Sequence, residues 1–264
     1  MTTYSLITGS AGLLGRYHAE ALLQLNLKVV LTDVDQGELD TTFKYLKKLY
    51  PSKKIITSIL DVTSPESIKK TVNDLRKNNI IINNLINNAA IDTKVRKKKS
   101  KKNHKFENFS LDVWNEEIKV GLTGAMLCSQ IIGGEMVKNK IKGNIVNIAS
   151  DLSVIAPNQN IYKSKKSSFV KPVTYSVIKH GIVGLTKYLS TYWAEKNIKV
   201  NSLSPGSVLN NQPKEFQVKI KKLIPMNRLA KKNEYMGAIK FLCSSDSDYM
   251  TGQNLVIDGG RSVW

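Results

Sequence analysis

The chain has 264 residues, of which 41% are hydrophobic, and this share suffices for a buried core and excludes disorder along the whole chain. Its 40 lysines and arginines exceed its 21 aspartates and glutamates, so the formal net charge is +19, as in many proteins that bind nucleic acid. The lysines are spread over the whole chain, however, and no recognition motif accompanies them, which indicates a general lysine bias and no specific nucleic-acid partner.

Seven apolar runs rich in valine and isoleucine alternate with segments of helical periodicity. The runs predicted to be strands are 4–8, 27–32, 54–60, 80–86, 143–149, 198–203 and 253–258. The predicted helices are 12–25, 36–49, 64–78, 110–138, 173–196 and 230–244. This alternation predicts a doubly wound, Rossmann-type α/β fold with a seven-stranded parallel sheet and helices on both faces. Because no repeat or linker interrupts the pattern, residues 1–264 are predicted to form one domain.

The composition also bears on compartment and metal content. Cys128 and Cys243 lie in apolar helical patterns and lack the spacing of a disulfide framework. The start MTTYSLITGS is unlike a secretory signal, and no apolar run approaches the roughly 20 residues that span a bilayer. We therefore expect a soluble cytoplasmic protein that does not enter a membrane. The three histidines have no carboxylate or thiol at ligand spacing, so no metal site is predicted.

Two lysine-rich stretches, 92–108 and 156–172, interrupt the periodic pattern. Each follows the C-terminal end of a predicted strand, the edge at which open α/β sheets bind ligands, so both are expected to border the active site. Their charge either attracts an anionic substrate or is the solvated surface of a lysine-biased chain. The basic residues are Lys94, Arg96, Lys97, Lys98, Lys99, Lys101, Lys102, Lys105, Lys163, Lys165 and Lys166.

A glycine-rich turn follows the first strand. It consists of Gly9, Ser10, Ala11, Gly12, Leu13, Leu14 and Gly15. Its glycines let the backbone approach a pyrophosphate, whose charge is met by amides at the start of the next helix. Asp33 ends the second strand, where a carboxylate accepts ribose hydroxyls and repels a 2′-phosphate, so NAD is predicted over NADP. Asp61 and Val62 are placed at the adenine, although Asp61 could instead cap a helix start.

A tyrosine and a lysine four residues apart, Tyr175 and Lys179, lie on one face of a predicted helix. The ammonium favours the ionised phenol, which can then exchange a proton near neutral pH. Ser150, at the end of the strand GNIVNIAS, is placed to hydrogen-bond the reacting oxygen. Tyr162 and Lys166 have the same spacing, but they lie in a polar loop that we expect to lack a fixed geometry, so Tyr175 is preferred.

In their order along the chain, these motifs resemble the short-chain dehydrogenase/reductase family from end to end. The matching motifs are TGSAGLLG, Asp33, Asp61-Val62, Asn87-Asn88-Ala89-Ala90, Ser150, Tyr175/Lys179, Ser204-Pro205-Gly206 and TGQNLVIDGG. The resemblance implies that Asn88 and the adjoining Ala89 and Ala90 support the cofactor. It also implies that Lys179 binds the nicotinamide ribose, and that Val208, after Pro205-Gly206, contacts the carboxamide. Helices 110–138 and 173–196 are, by the same resemblance, a homodimer or homotetramer interface.

A finer resemblance concerns the segments HAEALL, KPVTYS, STYWAEKNIKVNSLSPG and DGGRSVW. They are similar to a bacterial subset of the family that acts in flagellin modification and surface-sugar biosynthesis. The substrate implied is a hydroxyl or carbonyl of a sugar, a sugar phosphate or a nucleotide sugar.

Gly121 departs from the family pattern, because it stands where an asparagine usually completes a Ser/Tyr/Lys/Asn tetrad. A glycine within a helix costs roughly 1 kcal/mol relative to alanine. The departure predicts a slower enzyme that Gly121→Asn would accelerate. It also leaves open a second function, that of a catalytically weak dinucleotide-binding sensor or scaffold.

Overall fold

Seven parallel strands form a single sheet in the computed structural model, which describes residues 1–91, 105–163 and 169–264. The order across the sheet is β3-β2-β1-β4-β5-β6-β7. The strands are β1 Thr2–Ile7, β2 Val29–Asp33, β3 Ile55–Ile59, β4 Ile80–Asn87, β5 Gly143–Ile148, β6 Ile198–Pro205 and β7 Asn254–Ile257. The order reverses direction between β1 and β4, the switch point at which doubly wound sheets bind ligands. The predicted parallel sheet is confirmed.

Helices cover both faces of the sheet. They are α1 Gly15–Gln24, α2 Gln36–Leu49, α3 Pro65–Lys77, α4 Leu111–Ile118, α5 Gly124–Cys128, α6 Gly134–Lys138, α7 Val173–Trp193, α8 Lys214–Lys221 and α9 Met236–Leu242. Leu22 of α1, Leu46 of α2 and Ile239 of α9 are fully buried on one face. Ile68 of α3 and Trp193 of α7 pack on the other. Burial of such side chains on both faces explains the continuous apolar runs of the strands.

Two predictions about helices were incomplete. The predicted helix 230–244 is α-helical only from Met236 to Leu242, because the 3-10 turn Lys232–Tyr235 precedes it. Glu234 holds that turn by accepting hydrogen bonds from Arg228 and from the backbone of Lys231. Helix α8 was not predicted, since its eight residues bury little more than Ile220 and carry a weak periodic signal.

Helices α4, α5 and α6 follow one another along a path that is interrupted by two π-helical turns, Lys119–Thr123 and Ser129–Gly133. The path Leu111–Lys138 is long and apolar enough to cross a membrane by length and composition alone. Its buried side chains Cys128, Ile132 and Met136, however, belong to the apolar core against the sheet. Burial of that stripe is the arrangement of a core helix.

A row of amides crosses the buried centre of the sheet, which the apolar pattern had not predicted. Asn84 lies opposite Asn144 in the register of β4 and β5, and Asn87 lies opposite Asn147. Asn144 donates to Asn84 over 3.0 Å, and Asn87 donates to Asn147 over 2.8 Å. Asn84 in turn donates to Ser5 of β1 over 3.1 Å. These hydrogen bonds offset part of the cost of burying the amides, although Asn87 Oδ1 and Asn144 Oδ1 have no hydrogen-bond partner among the described residues.

Candidate active site

A cleft of about 1140 Å³ lies along the carboxyl ends of the strands. It runs past the glycine-rich turn, the end of β2 and the ends of β4, β5 and β6. The sequence-predicted residues that line it are Gly9, Ala11, Gly12, Leu13, Leu14, Asp33, Asp61, Val62, Asn88, Ala89, Ala90, Ser150, Tyr175, Lys179, Pro205, Gly206 and Val208. The fold therefore brings together motifs that are up to about 200 residues apart in the chain.

Ser10 and Gly15, which were predicted to bind the cofactor, do not line the cleft. Ser10 is fully buried beneath the turn. Gly15 begins α1, and a Cβ on it would lie 2.3 Å from the carbonyl oxygen of Gly9. These two residues therefore contribute to the packing of the turn and not to the surface of the cleft.

Gly9 gives the turn its direction. Its φ is +61°, in the left-handed region, and a Cβ on it would lie 2.8 Å from the Cα of Ala89. Both facts require glycine. Asn88 closes the turn from the other side, since its side-chain amide donates to the carbonyl of Thr8 over 3.1 Å and to that of Gly9 over 2.8 Å. The turn is thus fixed against the end of β4, with its backbone next to the cleft.

Asp33 is tied to the same turn. One carboxylate oxygen accepts a hydrogen bond from the backbone of Ala11 over 3.1 Å, and the other accepts from Val34 over 2.8 Å and from Asp35 over 3.3 Å. The carboxylate therefore has a fixed orientation at the end of β2 while it lines the cleft. A fixed anion at this point fits the ribose of a dinucleotide adenosine.

Asp61 makes a turn of its own. It accepts hydrogen bonds from the backbone and the hydroxyl of Thr63, both over 2.8 Å. The cap of α3 is Ser64, which accepts from the backbone of Ser67 over 3.1 Å. Asp61 therefore shapes the wall of the cleft at the end of β3 and is not the helix cap itself.

Ser150 is bonded to a carboxylate that the sequence analysis did not select. Its hydroxyl donates to Asp151 over 2.8 Å, and the other oxygen of Asp151 accepts from Arg261 over 2.7 Å. The side chains of Asp151 and Arg261 are each 4% exposed, so they form a buried ion pair beside the cleft. Asp151 directly follows Ser150 and could have been suspected. Arg261 is 110 positions away from Asp151 and gave no signal.

Two ammonium groups lie close to the ring of Tyr175. The Nζ of Lys179 is 5.9 Å from the centroid of its ring and donates to the carbonyl of Ile148 over 2.8 Å. The Nζ of Lys171, a residue that the sequence analysis did not single out, is closer, at 3.5 Å from the same centroid. Both cations favour the ionised phenol. The geometry allows Tyr175 to act as a proton donor or acceptor.

The environment predicted for Tyr162 was wrong. Tyr162 is 8% exposed, in an ordered turn Gln159–Tyr162, and its ring packs against Phe169 and Phe216 at centroid distances of 5.7 Å and 5.4 Å. Burial raises the pKa of its phenol, which opposes proton loss. Its sequence partner Lys166 lies outside the described residues, as do positions 92–104 and 164–168 with their lysines.

The structure gives Gly121 a packing role that helix propensity alone did not predict. Gly121 is buried in the first π-helical turn, and a Cβ on it would lie 2.9 Å from Cγ2 and 3.1 Å from Cδ1 of Ile178. Ile178 precedes Lys179 and is 5% exposed. The glycine therefore makes room for a large neighbour, and a bigger side chain has to displace it.

Gly121→Asn is thus expected to lower turnover and to reduce the free energy of unfolding by about 2 kcal/mol, because overpacking displaces Ile178 beside Lys179. Thermal unfolding and steady-state kinetics measure both effects. The double variant Gly121→Asn/Ile178→Ala is expected to recover turnover relative to the single variant. A single variant faster than the parent would contradict this packing account.

The described histidines and cysteines do not add a metal site. Nowhere in residues 1–91, 105–163 and 169–264 do three or more His, Cys, Asp or Glu side chains come together as a metal-binding group. His18 is fully buried in α1, and burial lowers its pKa to about 3, so the ring is neutral at physiological pH. Burial raises the pKa of both Cys128 and Cys243 to about 12, which makes them poor nucleophiles.

The fold and the cleft are those expected of an α/β protein that binds a dinucleotide. Residues 9–262 match a family model described as "Enoyl-(Acyl carrier protein) reductase". An NAD-dependent glycerol dehydrogenase of Listeria innocua is 32% identical, over 98% of this chain and 93% of its own length. A 2-dehydro-3-deoxy-D-gluconate 5-dehydrogenase of Bacillus subtilis is 31% identical, over 97% and 93%.

Among solved structures, a short-chain dehydrogenase of Leptospira borgpetersenii with bound NAD+ superposes with a TM-score of 0.85. It is 31% identical, and the match covers all of this chain and 94% of that one. The chain therefore belongs to the short-chain dehydrogenase/reductase family, whose members transfer hydride between a dinucleotide and an alcohol or ketone.

Proposed function

We propose that this protein oxidises a hydroxyl group of a sugar, sugar phosphate or nucleotide sugar with NAD, and reduces the corresponding carbonyl in the reverse direction. The observation that carries the proposal is the arrangement of one cleft. Asp33 lies at the dinucleotide end, and Ser150, Tyr175 and Lys179 lie at the other. The match to an NAD-dependent glycerol dehydrogenase and to a sugar-acid dehydrogenase supports a polyhydroxylated substrate.

In the oxidative direction, the phenolate of Tyr175 accepts the proton of the substrate hydroxyl. When bound, the nicotinamide ring would accept the hydride from the carbon that carries this hydroxyl. Ser150 has a single O–H, which donates to Asp151 in this structure, and it is proposed to turn that O–H to the reacting oxygen when substrate binds. Lys179 stabilises the phenolate and is proposed to reach the nicotinamide ribose. In reduction the proton passes from Tyr175 to the carbonyl oxygen.

The cofactor proposed is NAD rather than NADP, because the carboxylate of Asp33 repels a 2′-phosphate. The turn residues Gly9 to Leu14, except Ser10, are proposed to hold the pyrophosphate, and Asn88 to Ala90 and Pro205 to Val208 the nicotinamide half. Their fit rests on the close approach of this turn to the end of β4, where a Cβ at Gly9 would lie 2.8 Å from the Cα of Ala89.

Asp33→Ser is expected to weaken NAD binding on the order of tenfold, because hydrogen bonds to a charged group are lost, and to improve NADP binding. Titration of each dinucleotide followed by calorimetry measures both. Asp33→Asn is the matched control, because its amide oxygen can still accept from the backbone of Ala11 while the charge is gone. An unchanged preference in Asp33→Asn would show that the charge does not discriminate.

An anionic substrate is proposed because cations line the catalytic end of the cleft. Lys171, Lys179 and Arg261 lie there, and Asp151 balances Arg261. The acidic residues Asp33 and Asp61 lie instead at the dinucleotide end. This separation of charge favours a substrate with a carboxylate or phosphate next to Tyr175.

The test is NADH formation with glycerol, gluconate, glucose 6-phosphate and a nucleotide sugar, each at low and high salt. We expect the anionic compounds to be preferred and their KM to rise with salt, since the ammonium of the partly exposed Lys171 is screened. A preference for glycerol, or a KM that does not change with salt concentration, would contradict the proposal of an anionic substrate. Dinucleotide binding without turnover of any alcohol or ketone would favour the sensor or scaffold instead.

The proposed setting is the bacterial cytoplasm, in flagellin modification or surface-glycan biosynthesis, supported by the segments KPVTYS and DGGRSVW. A homodimer or homotetramer is proposed through the helices of the path Leu111–Lys138 and through α7. Met126, Val177, Tyr188 and Tyr192 are exposed apolar side chains on those helices, and the two tyrosine rings stack 5.7 Å apart. Light scattering of the purified protein measures the assembly.

A further inference from the structure

The ammonium group of Lys171 lies over the face of the Tyr175 ring. Its Nζ is 3.5 Å from the ring centroid, which is 2.4 Å less than the 5.9 Å of Lys179, the lysine of the Tyr-x-x-x-Lys motif. A cation over an aromatic face is attracted by the negative charge of that face. The attraction increases when the phenol ionises, because the negative charge of a phenolate is delocalised into its ring.

The position of Lys171 is fixed by its surroundings. The side-chain amide of Gln159 accepts from the backbone N–H of Lys171 over 2.9 Å and donates to its carbonyl over 3.3 Å. Gln159 belongs to the same turn as the buried Tyr162. The next residue, Pro172, precedes the first residue of α7 and restricts the backbone there. Because Gln159 binds both the N–H and the carbonyl of Lys171, the backbone from which the lysine side chain extends is held in place beside Tyr175.

The charged and titratable groups around Tyr175 come from several elements. Lys179 lies on its own helix, and Glu117 of α4 contacts the neighbouring Thr174. Tyr162 interacts electrostatically with Lys171, Arg261, Tyr175 and Asp151, so these groups share one end of the cleft. Because Asp151 and Arg261 form an ion pair, their net charge at the tyrosine is small. Among the described residues, Lys171 and Lys179 are the cations whose ammonium groups lie over the Tyr175 ring.

We propose that Lys171 is a second cation of the catalytic tyrosine, which stabilises ionised Tyr175 through its ring face and sets, with Lys179, the pH at which the tyrosine accepts the substrate proton. Lys171 is thus a positioning residue that acts through Tyr175. The proposal rests on the proposed function, in which Tyr175 is the proton acceptor. It assigns a catalytic consequence to a residue four positions before the tyrosine, across Pro172 and outside the helix.

The experiment compares Lys171→Met with Lys171→Arg, and uses Lys163→Met as the matched control. Lys163 lies on the same segment but is exposed and bonded to Asn160. The pH dependence of kcat/KM for alcohol oxidation is measured on each. In Lys171→Met, the midpoint of the acidic limb is expected to move upward by about one pH unit, with about a tenfold loss at neutral pH. Lys171→Arg is expected to restore most of the activity, and Lys163→Met to match the parent.

A second measurement does not need turnover. The tyrosinate absorbance of the NAD-bound protein is titrated with pH, and the Tyr175→Phe trace is subtracted to isolate Tyr175. The same upward movement is expected in Lys171→Met. An unchanged midpoint in both measurements would overturn the proposal, even if the KM for anionic substrates rises. If the parent turns over no substrate, the proposed function fails, while this titration still decides the role of Lys171.

Discussion

Tyr175→Phe is expected to reduce kcat by between a hundredfold and ten-thousandfold, the range in which a positioned acid or base contributes, or about 3 to 5 kcal/mol of transition-state stabilisation. The substitution removes one hydroxyl and keeps the ring under Lys171. Binding of NAD is expected to stay within a few-fold of the parent, since the turn at Gly9 and the carboxylate of Asp33 are untouched. Steady-state NADH formation and a dinucleotide titration measure the two quantities.

Tyr162→Phe is the matched control for this loss. It makes the same chemical change on the other tyrosine of the cleft, and its ring packing on Phe169 and Phe216 remains. We expect it to keep turnover within a few-fold, because the buried Tyr162 phenol stays protonated. If Tyr162→Phe were the slower of the two variants, the assignment of the proton acceptor would have to move to Tyr162.

Arg261→Met is expected to lower the free energy of unfolding by about 3 kcal/mol, because it leaves the carboxylate of Asp151 buried without its counter-ion. The effect reaches the site, since Asp151 also holds the hydroxyl of Ser150. Chemical denaturation measures the loss, and kcat is expected to fall with it. Adding Asp151→Asn to Arg261→Met is expected to recover part of the stability, because the unpaired charge is then absent.

Arg228→Met is the control for Arg261→Met. Arg228 makes two hydrogen bonds of 2.6 Å to Glu234, as close as the single 2.7 Å bond of Arg261 to Asp151, but both partners are exposed. An exposed pair contributes little, because water solvates either partner when the other is removed. Equal effects of the two methionine variants would show that burial of the Asp151–Arg261 pair is not what stabilises it.

The fold was predictable because each strand is an apolar run with covering helices between consecutive runs. The residues next to motifs were predictable too, as at Gly9, Asp33 and Tyr175, since a turn, a strand end and a helix face fix their positions locally. What the sequence could not reveal are contacts between distant segments. The pairing of Asp151 with Arg261 depends on where the C-terminal segment crosses the cleft.

Local composition was also misleading in two places. The lysines around Tyr162 suggested a solvated loop, whereas Phe169 and Phe216 bury its ring. Gly121 suggested a weakened helix, because a propensity scale does not include the side chain opposite it. In the structure, Ile178 occupies the space that any side chain at position 121 would need.

The amides at the centre of the sheet have a consequence for folding. Smooth apolar strands can slide past one another by a residue pair at little cost, whereas sliding β4 along β5 would separate Asn84 from Asn144 and Asn87 from Asn147. Each separation leaves a buried amide without its hydrogen-bond partner, which costs roughly 1 to 3 kcal/mol of stability. Misaligned intermediates are thereby penalised before any ligand is present. Side chains that do not contact a substrate thus fix the register of β5, and with it the position of Ser150 just beyond the end of that strand.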